Sequence, residues 1–161
     1  METLMLDLVH AHLEALSTSD WRRFGAVLAP DVVYDDVGNR QRIIGVAGYL
    51  ATAQRWKRAF PDLKSTALRS FSVGNSVMVE LIWTGAHFGP FDIGWTTVPA
   101  TRRVVSLRAG VFFAVSGRQI REARHYYDLL GLLAQLGQSS FDPPRRMTDP
   151  RAVEMLTASR R

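Results

Sequence analysis

The sequence predicts an α+β fold, with helices gathered against one face of a sheet. Two observations carry this. Up to residue 60 the apolar residues recur with the 3.6-residue period of helices, and from residue 63 the period becomes two, that of strands. The order of elements (helix, helix, strand, helix, then at least four antiparallel strands) makes a half-cone with a cavity between sheet and helices. The largest such cavity is the default ligand site.

Residues 3–17 place Met5, Leu8, Val9, Leu13 and Leu16 on one helix face, and His12 falls on that face. Asp20 opens a short helical stretch with Trp21, Phe24, Val27 and Leu28 on one side, which Pro30 is expected to stop. "DVVYDDV" (31–37) is rich in strand formers and runs into the turn pair Gly38-Asn39. A third helix spans 46–60, with a buried stripe of Val46, Tyr49, Leu50, Ala53, Trp56 and Phe60, and Pro61 ends it. Strands follow at 63–73 and 76–88 around a Gly74-Asn75 hairpin turn. Residues 85–101, rich in Gly, Pro and Thr, read as a long loop. Val105, Leu107, Ala109, Val111, Phe113 and Val115 share one face of a strand over 103–115. "SGRQ" then turns the chain into a strand at 119–127, and "LLGLLAQL" makes a short apolar helix or lid. One domain is expected over 1–137. A tail covers 138–161, in which Asp149 and Pro150 begin a candidate short helix.

The composition, 47% apolar and 22% charged, is that of an ordinary globular protein. Without cysteine there is no disulfide, thiolate metal site or cysteine nucleophile. The four histidines and the carboxylates show no compact ligand spacing, so no metal is expected, and glycine-rich phosphate loops and the GxSxG elbow are absent. The net charge of +5 comes from scattered arginines, several of them in the tail, which favours a solvated surface over nucleic-acid binding. "METLMLDLVH" lacks the pattern of a secretory signal, and no apolar run nears the roughly 20 residues that cross a bilayer. A cytoplasmic protein that binds no membrane is expected.

Several segments in order carry a family resemblance: "HLEALSTSDWRRFGAVLAPDVVYDD", "RIIGVAGYL" with "RAFPDLK", "WTGAHFGPF", "VPATRRV" and "GRQIREARHYYDLLGLLAQLG". Over about residues 5 to 137 the chain resembles the SnoaL-like polyketide cyclase branch of the nuclear-transport-factor-2-like superfamily. The resemblance implies a curved antiparallel or mixed sheet wrapped by three helices as a cone-shaped barrel. It also implies a homodimer through the outer sheet face and ring closure of a polyketide by aldol condensation without metal or organic cofactor. The family's acid/base residue, an aspartate on the last strand, falls at His125, a later aspartate at Asp128, and a cavity histidine at Val111. At His125 and Val111 the chain departs from the family.

His125 is the leading candidate, since an imidazole titrates near neutrality without help. Asp128 is either a second acid or the N-cap of the apolar helix. Tyr127 shares the face of His125 and can donate to a substrate carbonyl or fill the core. Tyr34 and Asp36 share a strand face; the resemblance puts a polar cavity residue near Tyr34, and Asp36 can orient His125 or cap the Gly38 turn. His12, Leu16, Trp56, Phe60, Phe91, Trp95, Val111 and Phe113 are candidate substrate-binding residues, with core packing the alternative for each. His87 is expected to be structural, and Glu80 to face outward. The function expected is a cofactor-independent cyclase acting on a hydrophobic, conjugated carbonyl compound, by aldol, dehydrative, epoxide-opening or cycloaddition chemistry. The alternative is a non-catalytic carrier or sensor of the same fold.

Overall fold

A computed structural model describes residues 2–138. Helix α1 (Glu2–Thr18) is followed by α2 (Trp21–Ala26), whose first turn is capped by the Asp20 carboxylate accepting from the Arg23 N–H. The helix ends at Ala26, ahead of Pro30 and short of Val27 and Leu28, and the proline itself lies within the next strand. Strand β1 (Leu28–Asp36) runs straight through it, because the ladder to the neighbouring strand is interrupted between Leu28 and Val33, where the missing N–H costs no bond. A short strand absent from the sequence reading, β2 (Gln41–Ile44), turns back antiparallel on β1, and α3 (Val46–Ala59) follows.

The rest is sheet. Strands β3 (Lys64–Val73) and β4 (Ser76–Ala86) form the expected hairpin. The 85–101 stretch is mostly loop, apart from a two-residue ladder between β5 (Phe91–Asp92) and β6 (Thr97–Val98). The long β7 (Val104–Ser116) and β8 (Gln119–Tyr127) are joined by Gly117-Arg118, both at positive φ, the turn geometry that matches strand twist. Helix α4 (Leu129–Gln135) then packs on β7. The candidate helix near Asp149 lies outside the described residues.

The main sheet is mixed, in the order β2-β1-β8-β7-β4-β3, and β1 lies parallel to β8. One row of paired residues crosses its inner face: Asp36, His125, Val111 and Val79. Alternation along β4 and β7 sends Val77, Leu81, Leu107 and Phe113 inward, while Glu80 faces out beside Arg108. Phe24 of α2 and Val9, His12 and Leu13 of α1 close the core from the helical side. At about 1.5–3 kcal/mol for each fully buried large side chain, this continuous apolar face holds the helices on the sheet.

Candidate functional site

The parallel pairing of β1 with β8 brings Tyr34 and His125, 91 positions apart, into contact. Tyr34 Oη lies 3.1 Å from His125 Nδ1, and the Trp83 indole N–H donates to His125 Nε2 at 3.0 Å. An indole nitrogen can only donate, so Nε2 must accept and the ring proton must sit on Nδ1. Nδ1–H therefore donates to Tyr34 Oη. The phenol keeps its own hydrogen, for which no acceptor exists among the described residues. The result is a one-way relay, Trp83 to His125 to Tyr34, ending in a free O–H donor.

Burial pushes His125 down to about pKa 3, so the ring is neutral at physiological pH. Burial raises Tyr34 well above the ordinary phenol range, with the Asp36 carboxylate adding to it, so its proton stays on. Tyr34 stacks on Tyr49, with ring centroids 4.3 Å apart. His12 is likewise neutral, lowered to about 4 by burial. Its Nδ1 faces the Phe24 carbonyl at 3.1 Å and must donate, so Nε2 accepts from the Tyr49 hydroxyl, also at 3.1 Å.

These groups face a narrow cavity lined by His12, Leu13, Leu16, Tyr34, Tyr49, Ala53, Trp56, Leu63, Trp83, Val111, Phe113 and His125. About 40 Å³ of it is free, space for a few waters and well below the roughly 300 Å³ at which small-molecule sites begin. The protein's own aromatic rings fill the half-cone.

Asp36 lies one strand period from Tyr34 on the same face, about 7 Å along the chain by the strand rise. It is buried and accepts the Asn39 backbone N–H at 3.0 Å. Burial raises its pKa; the Asn39 bond, the nearby Tyr127 hydroxyl and Arg55 oppose the shift without cancelling it. The Tyr127 hydroxyl is buried with no partner of ordinary hydrogen-bond geometry, and Asp36 is the carboxyl near enough to influence it. The Gly38 turn lies flat on the Tyr127 ring: a Cβ at 38 would sit 2.6 Å from it. A second, smaller space holds Asp36, Asn39, Gln41, Thr52, Arg55 and Asp92, and Trp56 and Phe91 line it too. Trp56 is thus the wall between an apolar and a polar compartment.

Of the sequence candidates, His12, Leu16, Tyr34, Trp56, Val111, Phe113 and His125 line the apolar cavity. Tyr127 packs against His125 and Trp56. Phe91 lines the polar compartment, and Phe60 is sealed between Trp56 and His87. Trp95 is a correction: it stands 43% exposed on the β5–β6 connection, where Gly94 at positive φ turns the chain outward. Asp128 is exposed and caps α4 by accepting the Gly131 N–H at 2.8 Å, away from the cavity. His87 is wholly buried, stacked on Phe60 and bonded to Thr101. His125, expected as the proton carrier, has both nitrogens engaged.

Four participants were missed. Trp83 sits at an inward position of a period-two strand, and a buried indole N–H needs an acceptor, which was the available signal. Tyr49 was read only as helix core. Asn39 was read only as half of the turn pair and Arg55 gave no signal; their placement depends on the β1–β2 turn meeting α3. Among the described residues, no three His, Asp or Glu side chains converge as a metal site, and no helix is long and apolar enough to cross a membrane.

Residues 6–136 match the model of the SnoaL-like polyketide cyclase family. Among solved structures, the chain is similar to a candidate polyketide cyclase from Xanthomonas campestris pv. campestris (27% identity, TM-score 0.70, covering 84% of this chain and 98% of that one). It is similar in fold to a candidate SnoaL-like polyketide cyclase from Jannaschia sp. CCS1 (22%, TM-score 0.74, 89% and 95%). The same holds for IdmH, a candidate polyketide cyclase from Streptomyces antibioticus (24%, TM-score 0.71, 83% and 98%). No protein of curated function matches significantly.

Proposed function

Because the chain belongs to the SnoaL-like polyketide cyclase family, we propose that it closes a ring in a hydrophobic, conjugated carbonyl compound of polyketide type by acid–base chemistry of its own side chains. The observation that carries this reading is the direction of the Trp83–His125–Tyr34 relay, which leaves a neutral phenol O–H directed away from its partner and fed by a donor behind it. Such a group hydrogen-bonds a ketone oxygen and holds the charge that develops on it.

Asp36 is the proton acceptor in this scheme. Its carboxylate takes the proton from the carbon next to the carbonyl held by Tyr34. The resulting enolate carbon attacks a second carbonyl of the same molecule, forming the carbon–carbon bond, and Asp36 returns the proton to the new alkoxide. A carboxyl raised by burial is a stronger base than an exposed one and closer to the working pH. His125 acts as a positioning residue: it fixes which way Tyr34 donates. Val111, Phe113 and Trp56 supply the apolar walls that hold the reacting ends together.

The test is ring closure of linear poly-β-ketone surrogates followed by mass spectrometry, where the product keeps the substrate's mass or loses one water. Tyr34→Phe should slow it by about 100- to 1,000-fold, the scale for one oxyanion donor. Variant rates within about twofold of the parent would overturn the scheme. The limited free space favours one rival, a binder of a small apolar ligand; ligand binding without ring closure in the parent protein would decide for it. The proposal includes a homodimer, supported by Phe71, Phe112 and Tyr126 exposed on the outer sheet face.

A further inference from the structure

The apolar cavity alone cannot accept a ring, and of the residues that line the polar compartment beside it the scheme above uses only Asp36 and Trp56. About 20 Å³ is free there, room for one hydroxyl-sized group. Its wall is built of Asp36, Asn39, Gln41, Thr52 and Arg55. Asn39 Oδ1 is buried without a hydrogen-bond partner, a cost that a ligand donor would remove. Arg55 is not committed to a carboxylate: its guanidinium donates to Thr52 Oγ1 at 2.9 Å, and Thr52 in turn donates to the Gly48 carbonyl. With two aspartates against one arginine, the compartment disfavours an anion. With an unfilled acceptor, it favours a neutral O–H.

Trp56 is the residue common to the linings of both spaces. The indole is half-buried and makes no hydrogen bond among those of the described residues; ring contacts to Phe60, Phe91, His125 and Tyr127, at 4.8–6.4 Å between centroids, hold it. Such contacts are non-directional and can be exchanged for contacts with a ligand ring.

We propose that the compartment beyond Trp56 is a hydroxyl-recognising subsite, and that Trp56 turns aside so that a substrate with a ketone at one end and a hydroxyl at the other spans both spaces. This rests on the reading of Tyr34 as the ketone's partner, and it adds the substrate class: a hydroxylated, conjugated ketone rather than a plain hydrocarbon-like one.

The test measures binding of 1-tetralone and 6-hydroxy-1-tetralone, which differ by one hydroxyl distal to the ketone, to the full chain. The hydroxylated ligand should bind about 10-fold tighter, the scale of one well-made hydrogen bond. Asn39→Ala keeps the backbone N–H that Asp36 needs, and it should bring the two ligands within about twofold by weakening only the hydroxylated one. Gln41→Leu serves as a second variant and should reduce the ratio in the same direction. Trp56→Ala removes the partition and should speed association of both ligands about 10-fold. Equal affinities in the parent protein, or a ratio unchanged in both Asn39→Ala and Gln41→Leu, would overturn the subsite. Should neither ligand bind the parent measurably, Trp56→Ala must bind the hydroxylated one preferentially, or the proposal fails. Tyr34→Phe separates the two readings: it should weaken both ligands equally and leave their ratio intact. A ratio that depends on Asn39 with no effect of Tyr34 would keep the subsite and discard the ketone assignment.

Discussion

His12 and His125 are alike in almost every respect that a sequence or a burial profile records. Both are buried, both are neutral because burial lowers their pKa, to about 4 and about 3, and both carry the proton on Nδ1. They differ in the group on which the run of donors ends. At His12 the Tyr49 hydroxyl donates in and the imidazole donates on to the Phe24 carbonyl, so the chain of donors ends on the protein's own backbone. At His125 the indole of Trp83 donates in and the imidazole donates to Tyr34, so the chain ends on a phenol with a hydrogen to spare. Identical residues in similar burial end their donors on a backbone carbonyl in one place and on a phenol that keeps its hydrogen in the other. The partner that can only donate decides which.

The sharpest way to break this contrast is to remove that partner. Trp83→Phe frees Nε2, lets the proton change nitrogens and allows Tyr34 to donate back to the histidine, so its hydrogen is no longer offered to the cavity. Ring closure should fall by about 10- to 100-fold with Tyr34 itself untouched. The matched change at the other site, Tyr49→Phe, should leave the rate within about threefold and cost about 1 kcal/mol of stability, the net worth of one hydrogen bond. Equal losses of rate would mean that the direction of donation is irrelevant.

The pH dependence of the rate comes next. With both histidines titrating far below neutrality, the limb of kcat/KM belongs to Asp36. The rate should rise with pH through a single apparent pKa above the ordinary carboxylate value of 3.8, and Asp36→Asn should abolish that limb. A limb near 6.5 that disappears in His125→Asn would return the proton-carrying role to the histidine.

The smallest effect is one the two sites share. Each folded histidine has a lower pKa than the unfolded one, so as pH falls the unfolded chain takes up protons first. Their contribution to stability is complete above about pH 6.5 and is lost as pH falls toward about 4 for His12 and about 3 for His125. Asp36, shifted upward, works in the opposite sense. Within that window each histidine contributes at most about 1.4 kcal/mol per pH unit. Thermal melts between pH 7 and pH 5 should show Tm falling, with a shallower fall in His12→Asn. A Tm independent of pH across this range would show that the histidines are not desolvated as described.

The fold was legible because it depends on period. Once residues 103–115 alternate and residues 3–17 do not, helices on a sheet follow. The inward direction of Tyr34, Asp36 and His125 follows from the same alternation. The site was only half legible, because its chemistry depends on partners and not on residue types. Nothing in "RHYYD" says that an indole more than 40 positions away occupies one nitrogen of its histidine. For Asp128 the resemblance offered a second acid and the sequence an N-cap, and the N-cap is what forms, because an aspartate directly before an apolar helix meets unpaired N–H groups first. Trp95 looked like a clamp by type and lies at the surface because of the backbone at Gly94. The helix ends before Pro30, but the strand begins ahead of the proline and not after it, because a broken ladder tolerates it.

The parallel seam between β1 and β8 has a further meaning for how this molecule comes into being. Nearly every other neighbour in the main sheet is also a neighbour along the chain, but this seam joins residues about 90 positions apart. Contacts of that range close slowly, because the whole intervening loop must be ordered first. On a ribosome, Tyr34 is made 91 residues ahead of His125. Until β8 arrives, the phenol has no imidazole behind it. A chain ending before Gln119 therefore carries Tyr34 without the imidazole that sets its direction, so the donor pair exists only once the sheet is closed.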